Sequence, residues 1–345
     1  MKILFIVPYP TEGPSNRFRV EQYLPILTRS GTDFSVRPFC NSDFYGILLK
    51  KGRYFKKFFY LIVFTLLRIV DLFRAMRYDV VFIHREAFPT KDFIFEWLFR
   101  KFSRKIIYDF DDSVFLKKPA KVKMLVSKAD RVITGNNFLE GYALHFNKNV
   151  TLIPTCIDTD KYAPSSHKNT GGKVIIGWMG SPTTSVFLSE IKEVFNIISD
   201  KYKNVEFRII GGRFTAAPSA RVLNRPWNLA SEVRDMQEFD IGIMPMPDDE
   251  WTRGKCAFKI IEYMALGIPA VASPVGMNSE VIKDGVNGFL AGNQDEWLDK
   301  LSRLIESAEL RQALGRNGRN TIEERYSLRA NASKFIDVVK DYVHR

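Results

Sequence analysis

Short apolar runs alternate with amphipathic stretches along the chain. In the first half, the apolar runs are KILFIV, DVVFIH, KIIYDF, RVIT and VTLIPT. Apolar residues at helical spacing predict helices between these runs, over residues 16–29, 92–101 and 120–128. Buried strands that are separated by helices are typical of a parallel sheet with helices on both faces.

The same alternation starts again in the second half, where the apolar runs are KVIIGWMG, VEFRIIGG, FDIGIMPM and PAVAS. Between the halves, residues 163–172 read APSSHKNTGG, which predicts a linker. We therefore expect an α/β protein with two Rossmann-like, doubly wound parallel-sheet domains that face a cleft. Their predicted bounds are residues 1–162 and 173–326. The final helix, residues 327–345, is expected to pack back on the N-terminal domain or to stay with the second.

The segment at residues 50–77 combines clustered cations with an apolar stretch. It reads KKGRYFKK, followed by FFYLIVFTLLRIVDLFRAMR. The apolar run is about half of what a bilayer span requires. Large apolar residues recur at helical spacing, as in a helix that lies in an anionic membrane interface: Phe55, Phe58, Phe59, Ile62, Leu66, Ile69, Val70 and Phe73. The alternative is a long core helix with a basic solvent face.

Composition narrows the choice of partners and compartment. The formal net charge of +12 over 345 residues indicates an anionic partner. Nucleic acid is not expected, because the aromatic residues cluster in apolar faces and no recognition motif is present. Cys40, Cys156 and Cys256 have neither disulfide-framework nor zinc spacing, and the first apolar run is too short for a secretory signal. We expect a reducing, cytoplasmic location.

One helix of the second half raises a question about charge. Lys255, Lys259 and Glu262 fall on one stripe of an otherwise apolar helix, and Arg253 stands at the same predicted helix start. Cations at a helix start interact unfavourably with the helix dipole, whereas a bound anion there interacts favourably with both the dipole and the cations. The stripe therefore predicts an anion site, and the alternative is a solvated Lys259–Glu262 pair.

The order of these motifs resembles a known enzyme class. FDIGIMPM, then GKCAFKIIEYMALGIPAVASPVGMNSEVIKDGVNGFLA, then ERYS are similar to the nucleotide-sugar-binding domain of GT-B glycosyltransferases, most closely the retaining family 4. KILFIV, VVFIHRE, ADRVITGNNFLEGYA and LIPTCIDTDKY carry a weaker resemblance in the first half. Residues 42–77 lie largely outside the resemblance. It implies transfer of a glycosyl group from a nucleoside diphosphate sugar to a hydroxyl, with retention and without a metal or other cofactor.

The resemblance also implies the donor-binding residues. Glu262 matches the second carboxylate of the family's Glu-x7-Glu motif, which binds the donor's ribose. The first carboxylate is replaced here by Gly254, whose backbone would have to serve instead. The family's Arg and Lys after the first strand are also absent, so other cations and hydroxyl groups are expected to hold the diphosphate. The expected donor-binding residues are Gly180, Ser181, Thr183, Thr184, Arg253, Gly254, Lys255, Lys259 and Glu262.

In the first half, His84 ends a predicted strand and matches an active-site histidine of the family. Glu86 follows, and we expect it to share the catalytic site. Asp109 opens the triplet Asp-Phe-Asp within YDFDD. In GT-A enzymes such a triplet holds a metal, but in a GT-B protein we expect it to orient the acceptor hydroxyl or support a polar network.

Three arginines are candidates for phosphate binding. Arg17 and Arg19 are predicted in the first turn of a helix, where the dipole disfavours cations without an anion. Arg85 follows His84. We expect these arginines to bind an acceptor phosphate or the donor diphosphate, and the alternative is an interdomain salt bridge.

Together these features predict a glycosyltransferase in cell-surface glycan biosynthesis, peripheral on the cytoplasmic face of a membrane. Its expected partners are a nucleotide sugar, a lipid-linked or polysaccharide acceptor and an anionic membrane surface. Two alternatives remain: a same-fold nucleotide-sugar epimerase, and a catalytically inactive GT-B scaffold at the membrane.

Overall fold

The computed structural model describes residues 1–48, 50–165, 172–215 and 220–341. The chain divides into two compact units: unit 1 is Met1–Cys156 with Asn331–Arg345, and unit 2 is Ile157–Ala330. Each unit is built on a six-stranded sheet in which every pair of neighbouring strands is parallel. The predicted α/β class with two Rossmann-like domains is confirmed.

Unit 1 has a sheet whose strand order reverses next to its first strand. The strands are β1 (Lys2–Val7), β2 (Asp33–Pro38), β3 (Val80–His84), β4 (Lys105–Phe110), β5 (Arg131–Thr134) and β6 (Val150–Leu152). Their spatial order is β2-β1-β3-β4-β5-β6. The topological switch point therefore lies between β1 and β3, and in open α/β sheets ligands bind beyond the carboxyl ends of the strands at such a point.

The helices of unit 1 cover this sheet. They are α1 (Pro14–Arg19), α2 (Leu24–Arg29), α3 (Ser42–Leu48), α4 (Tyr54–Ala75), α5 (Ile94–Phe102), α6 (Pro119–Lys128) and α7 (Asn137–Leu144). The single helix predicted at 16–29 is wrong, because α1 and α2 are separated by a 3₁₀ turn at Glu21–Tyr23. Pro25 at the start of α2 has no backbone N–H to continue the preceding hydrogen bonds.

Unit 2 has the strand order found in dinucleotide-binding folds. Its strands are β7 (Val174–Met179), β8 (Val205–Ile210), β9 (Val222–Arg225), β10 (Ile241–Met244), β11 (Ala270–Ala272) and β12 (Phe289–Leu290). Their spatial order, β12-β11-β10-β7-β8-β9, places the switch point between β7 and β10.

The helices of unit 2 bury one apolar core against this sheet. They are α8 (Lys192–Lys201), α9 (Glu232–Gln237), α10 (Glu250–Arg253), α11 (Phe258–Ala265), α12 (Asn278–Val281), α13 (Gln294–Glu306) and α14 (Ala308–Thr321). A 3₁₀ segment, Ser185–Ile191, precedes α8, and a π-helical segment, Ile322–Tyr326, follows α14. Trp178 of β7 and Phe195 of α8 are fully buried in the core.

The last helix, α15 (Leu328–Lys340), begins in unit 2 and contributes most of its length to unit 1. Within unit 1, the Phe335 ring stacks on Tyr23 at a centroid distance of 4.0 Å. Along the chain, the boundaries between the units fall after Cys156 and after Ala330, whereas the predicted domains ended at residues 162 and 326. Most of the linker predicted at 163–172 lies outside the described residues.

Helix α4 presents its apolar side chains to solvent. Phe55 is 94% exposed, and Phe58 and Phe59 are also exposed. Its buried face combines the apolar Phe64, Leu72 and Ala75 with the ion pair of Arg68 and Asp71. The exposed face of the helix is therefore largely apolar, whereas the core-helix alternative required a basic solvent face. Within the described parts of the chain, no helix is both long and apolar enough to cross a bilayer.

Candidate functional site

In unit 1, the carboxyl ends of β3 and β4 bring His84 and Asp109 together. His84 is the last residue of β3, and its side chain is fully buried. Its Nδ1 lies 2.6 Å from Asp109 Oδ2, and its Nε2 lies 2.7 Å from the hydroxyl oxygen of Ser15. The Ser15 hydroxyl also lies 2.7 Å from Asp111 Oδ2. The switch point of unit 1 thus holds a continuous chain of hydrogen-bonded side chains.

Arg19 uses its guanidinium for hydrogen bonds within this network. Its Nε and Nη2 both donate to the Asp109 carboxylate, and its Nη1 donates to the carbonyl of Ile153 at 2.7 Å. Arg19 and Asp109 are 3% and 1% exposed. Burial would lower the pKa of Arg19, but the charge and hydrogen bond of Asp109 raise it.

The reason given for placing an anion beside Arg19 was therefore wrong. Arg17 and Arg19 lie in the last turn of α1, where the helix dipole favours cations. The partner of Arg19 is a carboxylate of the same unit, so neither an external phosphate nor an interdomain salt bridge is needed. Arg17 is buried, with its guanidinium 4.9 Å from the Phe18 ring centroid.

Arg85 faces the two carboxylates that follow β4. Its guanidinium lies 3.4 Å from Asp112 and 3.9 Å from Asp111. Burial alone would raise the pKa of the Asp111 carboxyl, but the charges of Arg85, His84 and Arg19 and the hydrogen bond from Ser15 lower it to about 2. Arg85 has a positive φ of 60°, which is strained for a residue with a side chain.

Glu86 belongs to a second group of ion pairs. Its carboxylate contacts the amines of Lys118 and Lys121. Lys121 is buried and also contacts Glu96, whose carboxylate accepts hydrogen bonds from the backbone N–H groups of Ala87 and Phe88. This group fixes the loop that follows His84, so the structure gives Glu86 a contact with lysines that the sequence did not predict.

In unit 2, three glycines lie around the end of β7. A Cβ at Gly180 would lie 2.6 Å from the Trp178 ring and 2.8 Å from Cε of Lys259. A Cβ at Gly211 would lie 2.3 Å from the carbonyl oxygen of Gly180, and one at Gly212 would meet Trp178. The amine of Lys259 lies 5.3 Å from the Trp178 ring centroid. Only glycines allow this close approach of backbone, indole ring and lysine.

The hydroxyl groups after β7 lie in a turn at the surface. Ser181 Oγ lies 2.8 Å from Thr183 Oγ1 and 3.3 Å from Thr184 Oγ1. The following 3₁₀ segment begins at Ser185, so these hydroxyl groups precede it and do not lie within a helix. Ser181 and Thr183 are exposed to solvent, and Thr184 is half-buried.

Lys259 and Glu262 lie on α11, but Lys255 does not. The helix begins at Phe258, and Ala257 before it has a left-handed φ of 50°. The predicted stripe is therefore wrong for Lys255, which lies in the connection from α10. Glu262 is only 6% exposed.

Arg253 ends α10, and Gly254 caps this helix. The Arg253 guanidinium pairs with the exposed Asp248 carboxylate at 2.6 Å. This pairing explains a cation at that position without a bound diphosphate.

An open pocket of about 410 Å³ lies next to the glycines of unit 2. Its lining residues are Gly211, Gly212, Arg213, Asn224, Arg225, Pro226 and Trp227. These residues were not predicted from the sequence, because β9 carries no apolar run. The Gly-Gly pair after VEFRII was the available signal.

The carboxylates of YDFDD make contacts with protein side chains. Asp109 contacts Arg19 and His84, and Asp111 contacts Ser15. Over residues 1–48, 50–165, 172–215 and 220–341, no group of three or more histidine, cysteine, aspartate or glutamate side chains is arranged to hold a metal ion.

Sequence comparison identifies relatives for part of the chain. Residues 174–307 match the family model described as Glycosyl transferases group 1. The capsular polysaccharide biosynthesis glycosyltransferase CapM of Staphylococcus aureus is 25% identical over 181 residues, which are 50% of this chain and 47% of CapM. The chain thus spans about half the length of this curated relative.

Two solved structures match nearly the whole chain. HepE from Anabaena in complex with UDP-glucose has a TM-score of 0.73 at 16% identity, covering 99% of this chain and 100% of that chain. Sucrose-phosphate synthase from Thermosynechococcus elongatus has a TM-score of 0.71 at 15% identity, covering 99% of both chains. The chain has the GT-B fold. This finding confirms the resemblance to GT-B glycosyltransferases on which the sequence-based expectations rested.

The two GT-B units therefore offer different chemistry. Unit 1 holds a buried network of paired charges around His84. Unit 2 holds Lys259, exposed hydroxyl groups and an open pocket around a glycine-lined strand end.

Proposed function

We propose that this protein transfers a glycosyl group from a nucleoside diphosphate sugar to a hydroxyl of a glycan or lipid-linked acceptor, with retention, in polysaccharide assembly. The observation that carries the proposal is the close approach of Lys259, on α11, to Gly180 after β7, with the buried Glu262 on the same helix. CapM is named as a capsular polysaccharide glycosyltransferase, and the HepE structure contains UDP-glucose. The HepE complex supports a nucleotide sugar as the donor, and the name of CapM supports a role in polysaccharide assembly.

Unit 2 has the groups that a nucleoside diphosphate requires. Lys259 supplies a positive charge, and Ser181 and Thr183 supply exposed hydroxyl groups for phosphate oxygens. Glu262 supplies an acceptor for ribose hydroxyl groups. The adjacent pocket offers the Trp227 side chain and room for a base or sugar.

Unit 1 is proposed to assist the transfer itself. The transition state of glycosyl transfer resembles an oxocarbenium ion, and negative charge grows on the departing diphosphate. Without a metal, fixed positive groups must stabilise that charge. His84, supported by Asp109, is the proposed catalytic group, and we expect activity to survive chelation by EDTA. Loss of activity with EDTA, restored by manganese or magnesium, would argue against this mechanism.

A thermal-shift panel of nucleotide sugars tests the donor, with UDP-glucose as the first probe. A ligand at about 100 times its dissociation constant stabilises by roughly 2.7 kcal/mol. The stabilising sugar is then incubated with glycan and polyprenyl-phosphate acceptors, and the products are identified by mass spectrometry. Donor epimerised without an acceptor would indicate the epimerase alternative, and absence of any stabilising nucleotide sugar would contradict the proposal.

The acceptor is proposed to be lipid-linked, because α4 has the exposed apolar face and neighbouring cations expected of a helix that binds an anionic membrane surface. Its exposed face carries Phe55, Phe58 and Phe59, and α5 adds the exposed Ile94 and Trp97. Soluble proteins rarely leave such an apolar patch uncovered. The five cations of residues 50–57 would each add about 1 kcal/mol near an anionic surface.

Vesicle co-sedimentation tests this surface. We expect wild type to bind phosphatidylglycerol vesicles and not phosphatidylcholine vesicles. Replacing Phe55, Phe58 and Phe59 by Ser should abolish binding, and replacing the five cations by Gln should weaken it. Phe64 of the same helix is left unchanged, because it is buried against Phe39. Equal binding by all three proteins would refute the membrane role.

A further inference from the structure

Three arginines of unit 1 contact the same carboxylate, that of Asp71 on α4. Nε of Arg37 lies 2.8 Å from Asp71 Oδ1, and Nη1 of Arg74 lies 3.3 Å from the same oxygen. Nη1 of Arg68 lies 3.4 Å from the other oxygen, Oδ2. Three positive charges therefore share one negative charge at this place.

The buried Arg68 depends most on that carboxylate. It is 1% exposed, and burial lowers its pKa to about 10 against the opposing charge of Asp71. The charge of Glu96 also raises this pKa, but the Glu96 carboxylate lies 3.1 Å from the amine of Lys121. A buried cation needs a paired anion, whereas an exposed one is stabilised by water. Asp71 is thus required by Arg68, and the charges of the other two arginines remain in excess.

These two arginines line a pocket of about 450 Å³ between β2 and the end of α4. Arg37 is 31% exposed and Arg74 is 44% exposed. The Tyr78 hydroxyl donates to Ser35 Oγ at 2.8 Å, so the Ser35 hydroxyl can donate its own hydrogen to a ligand. The lining residues are Ser35, Val36, Arg37, Arg74 and Tyr78. The pocket has the volume of a small-molecule site and presents positive charge and hydrogen-bond donors.

The pocket is separate from the groups to which a function has been proposed. Residues 35–37 pair with residues 4–6 of β1 within the edge strand β2, and β1 separates this strand from β3, which ends at His84. Arg74 follows the cation cluster of residues 50–57 by 17 residues, which is about 25 Å along α4. The pocket therefore belongs neither to the His84 network nor to that cluster.

We propose that this pocket binds a dianionic phosphate group, with the guanidinium groups of Arg37 and Arg74 as its ligands. A dianion balances the two excess charges, and each arginine fork can donate to a pair of phosphate oxygens. Arg74 belongs to the helix that is proposed to lie on a membrane, so the group comes either from a phosphomonoester lipid or from free phosphate. The proposal does not depend on the transfer reaction.

Calorimetry with inorganic phosphate tests the pocket. Arg37→Gln and Arg74→Gln should each lower the affinity about tenfold or more, because each removes a charged hydrogen-bond donor. Arg77→Gln is the matched control: Arg77 is exposed, lies three residues after Arg74 and is not among the lining residues. Arg77→Gln should bind phosphate as wild type does, and so should Lys259→Gln, which separates this pocket from the proposed donor site. Circular dichroism checks that each variant is folded.

Vesicle co-sedimentation distinguishes the two sources of phosphate. Phosphatidic acid carries a phosphate monoester, whereas phosphatidylglycerol carries a diester. If the ligand is a lipid headgroup, wild type should prefer phosphatidic acid vesicles, and Arg74→Gln should lose this preference while still binding phosphatidylglycerol. Equal retention of wild type by both vesicles, with inorganic phosphate still bound more weakly by Arg74→Gln, would identify free phosphate. Absence of phosphate binding by wild type, or the same affinity in Arg74→Gln as in wild type or Arg77→Gln, would overturn the proposal.

Discussion

The candidate sites of the two units both lie at the carboxyl ends of parallel strands, but their charged groups differ in burial and in contacts. In unit 1, Arg19, Asp109 and His84 are buried and bonded to one another. In unit 2, Lys259 lies against the Trp178 ring, Ser181 lies in an exposed turn, and an open pocket begins at Gly211. The network of unit 1 is buried, whereas the hydroxyl groups and the pocket of unit 2 are accessible to a ligand. This difference supports a division between fixed catalytic charge and donor binding.

Arg19→Met should produce the largest effect, because it leaves the Asp109 carboxylate buried without its cation. Breaking a buried pair in this way costs about 3–5 kcal/mol. Urea denaturation followed by circular dichroism measures the loss. The matched control is Arg253→Gln, which breaks an exposed arginine–aspartate pair in unit 2 and should leave stability unchanged. Equal stability of the two variants would show that the network of unit 1 is not structural.

Glu262→Ala should weaken donor binding with little loss of fold stability. A hydrogen bond to a charged group is worth about 1.5–3 kcal/mol, so affinity should fall roughly 10- to 100-fold. Isothermal calorimetry with the nucleotide sugar provides the measurement. A donor that lacks the ribose hydroxyl groups is the control, since wild type and variant should bind it equally. Unchanged affinity for the normal donor would remove Glu262 from the site.

Acid should destabilise unit 1 through Asp111. Its pKa is depressed from 3.8 to about 2, so the stabilisation is fully present above pH 3.8 and is lost as pH falls through 2. The shift corresponds to about 2 kcal/mol. Denaturation at pH 5 and pH 2 should show this loss in wild type and a smaller loss in Asp111→Asn. The same acid loss in both proteins would contradict the assignment.

Lys259→Gln should have the smallest effect of this series, about tenfold on binding of the nucleoside diphosphate. Binding of the nucleoside without phosphates should not change, because Lys259 is proposed to contact the diphosphate. Lys283→Gln is the matched control, since Lys283 is an exposed lysine of unit 2 that is not among the expected donor-binding residues. If Lys259→Gln weakens the binding of nucleoside and of nucleoside diphosphate equally, Lys259 does not contact the phosphates.

The buried strands could be predicted from sequence because both of their faces are covered. Runs such as VVFIH and VIIGWM are apolar throughout, and the structure buries every residue in them. The edge strands β2 and β9 were missed, because both are largely half-exposed or exposed and contain polar residues. The prediction of a parallel sheet therefore depended on the central strands alone.

The charges of the sites were harder to predict, because their partners are distant in sequence. Asp109 lies 90 residues after Arg19, and no local pattern reveals that they meet. The prediction that Lys255 lies on the same helix as Lys259 was wrong for a local reason. The backbone at Ala257 is left-handed, so the helix begins later than the apolar pattern indicated. His84 and Glu262 could be singled out because a polar residue ends or interrupts an apolar element.

The division of labour between the units is tested most directly by measuring donor affinity and transfer rate in two variants. We predict that His84→Gln keeps the wild-type dissociation constant for the nucleotide sugar and loses most of kcat. Glu262→Ala should instead raise the dissociation constant and retain measurable turnover at saturating donor. If both variants change the same parameter, or if no nucleotide sugar binds wild type, the account is contradicted.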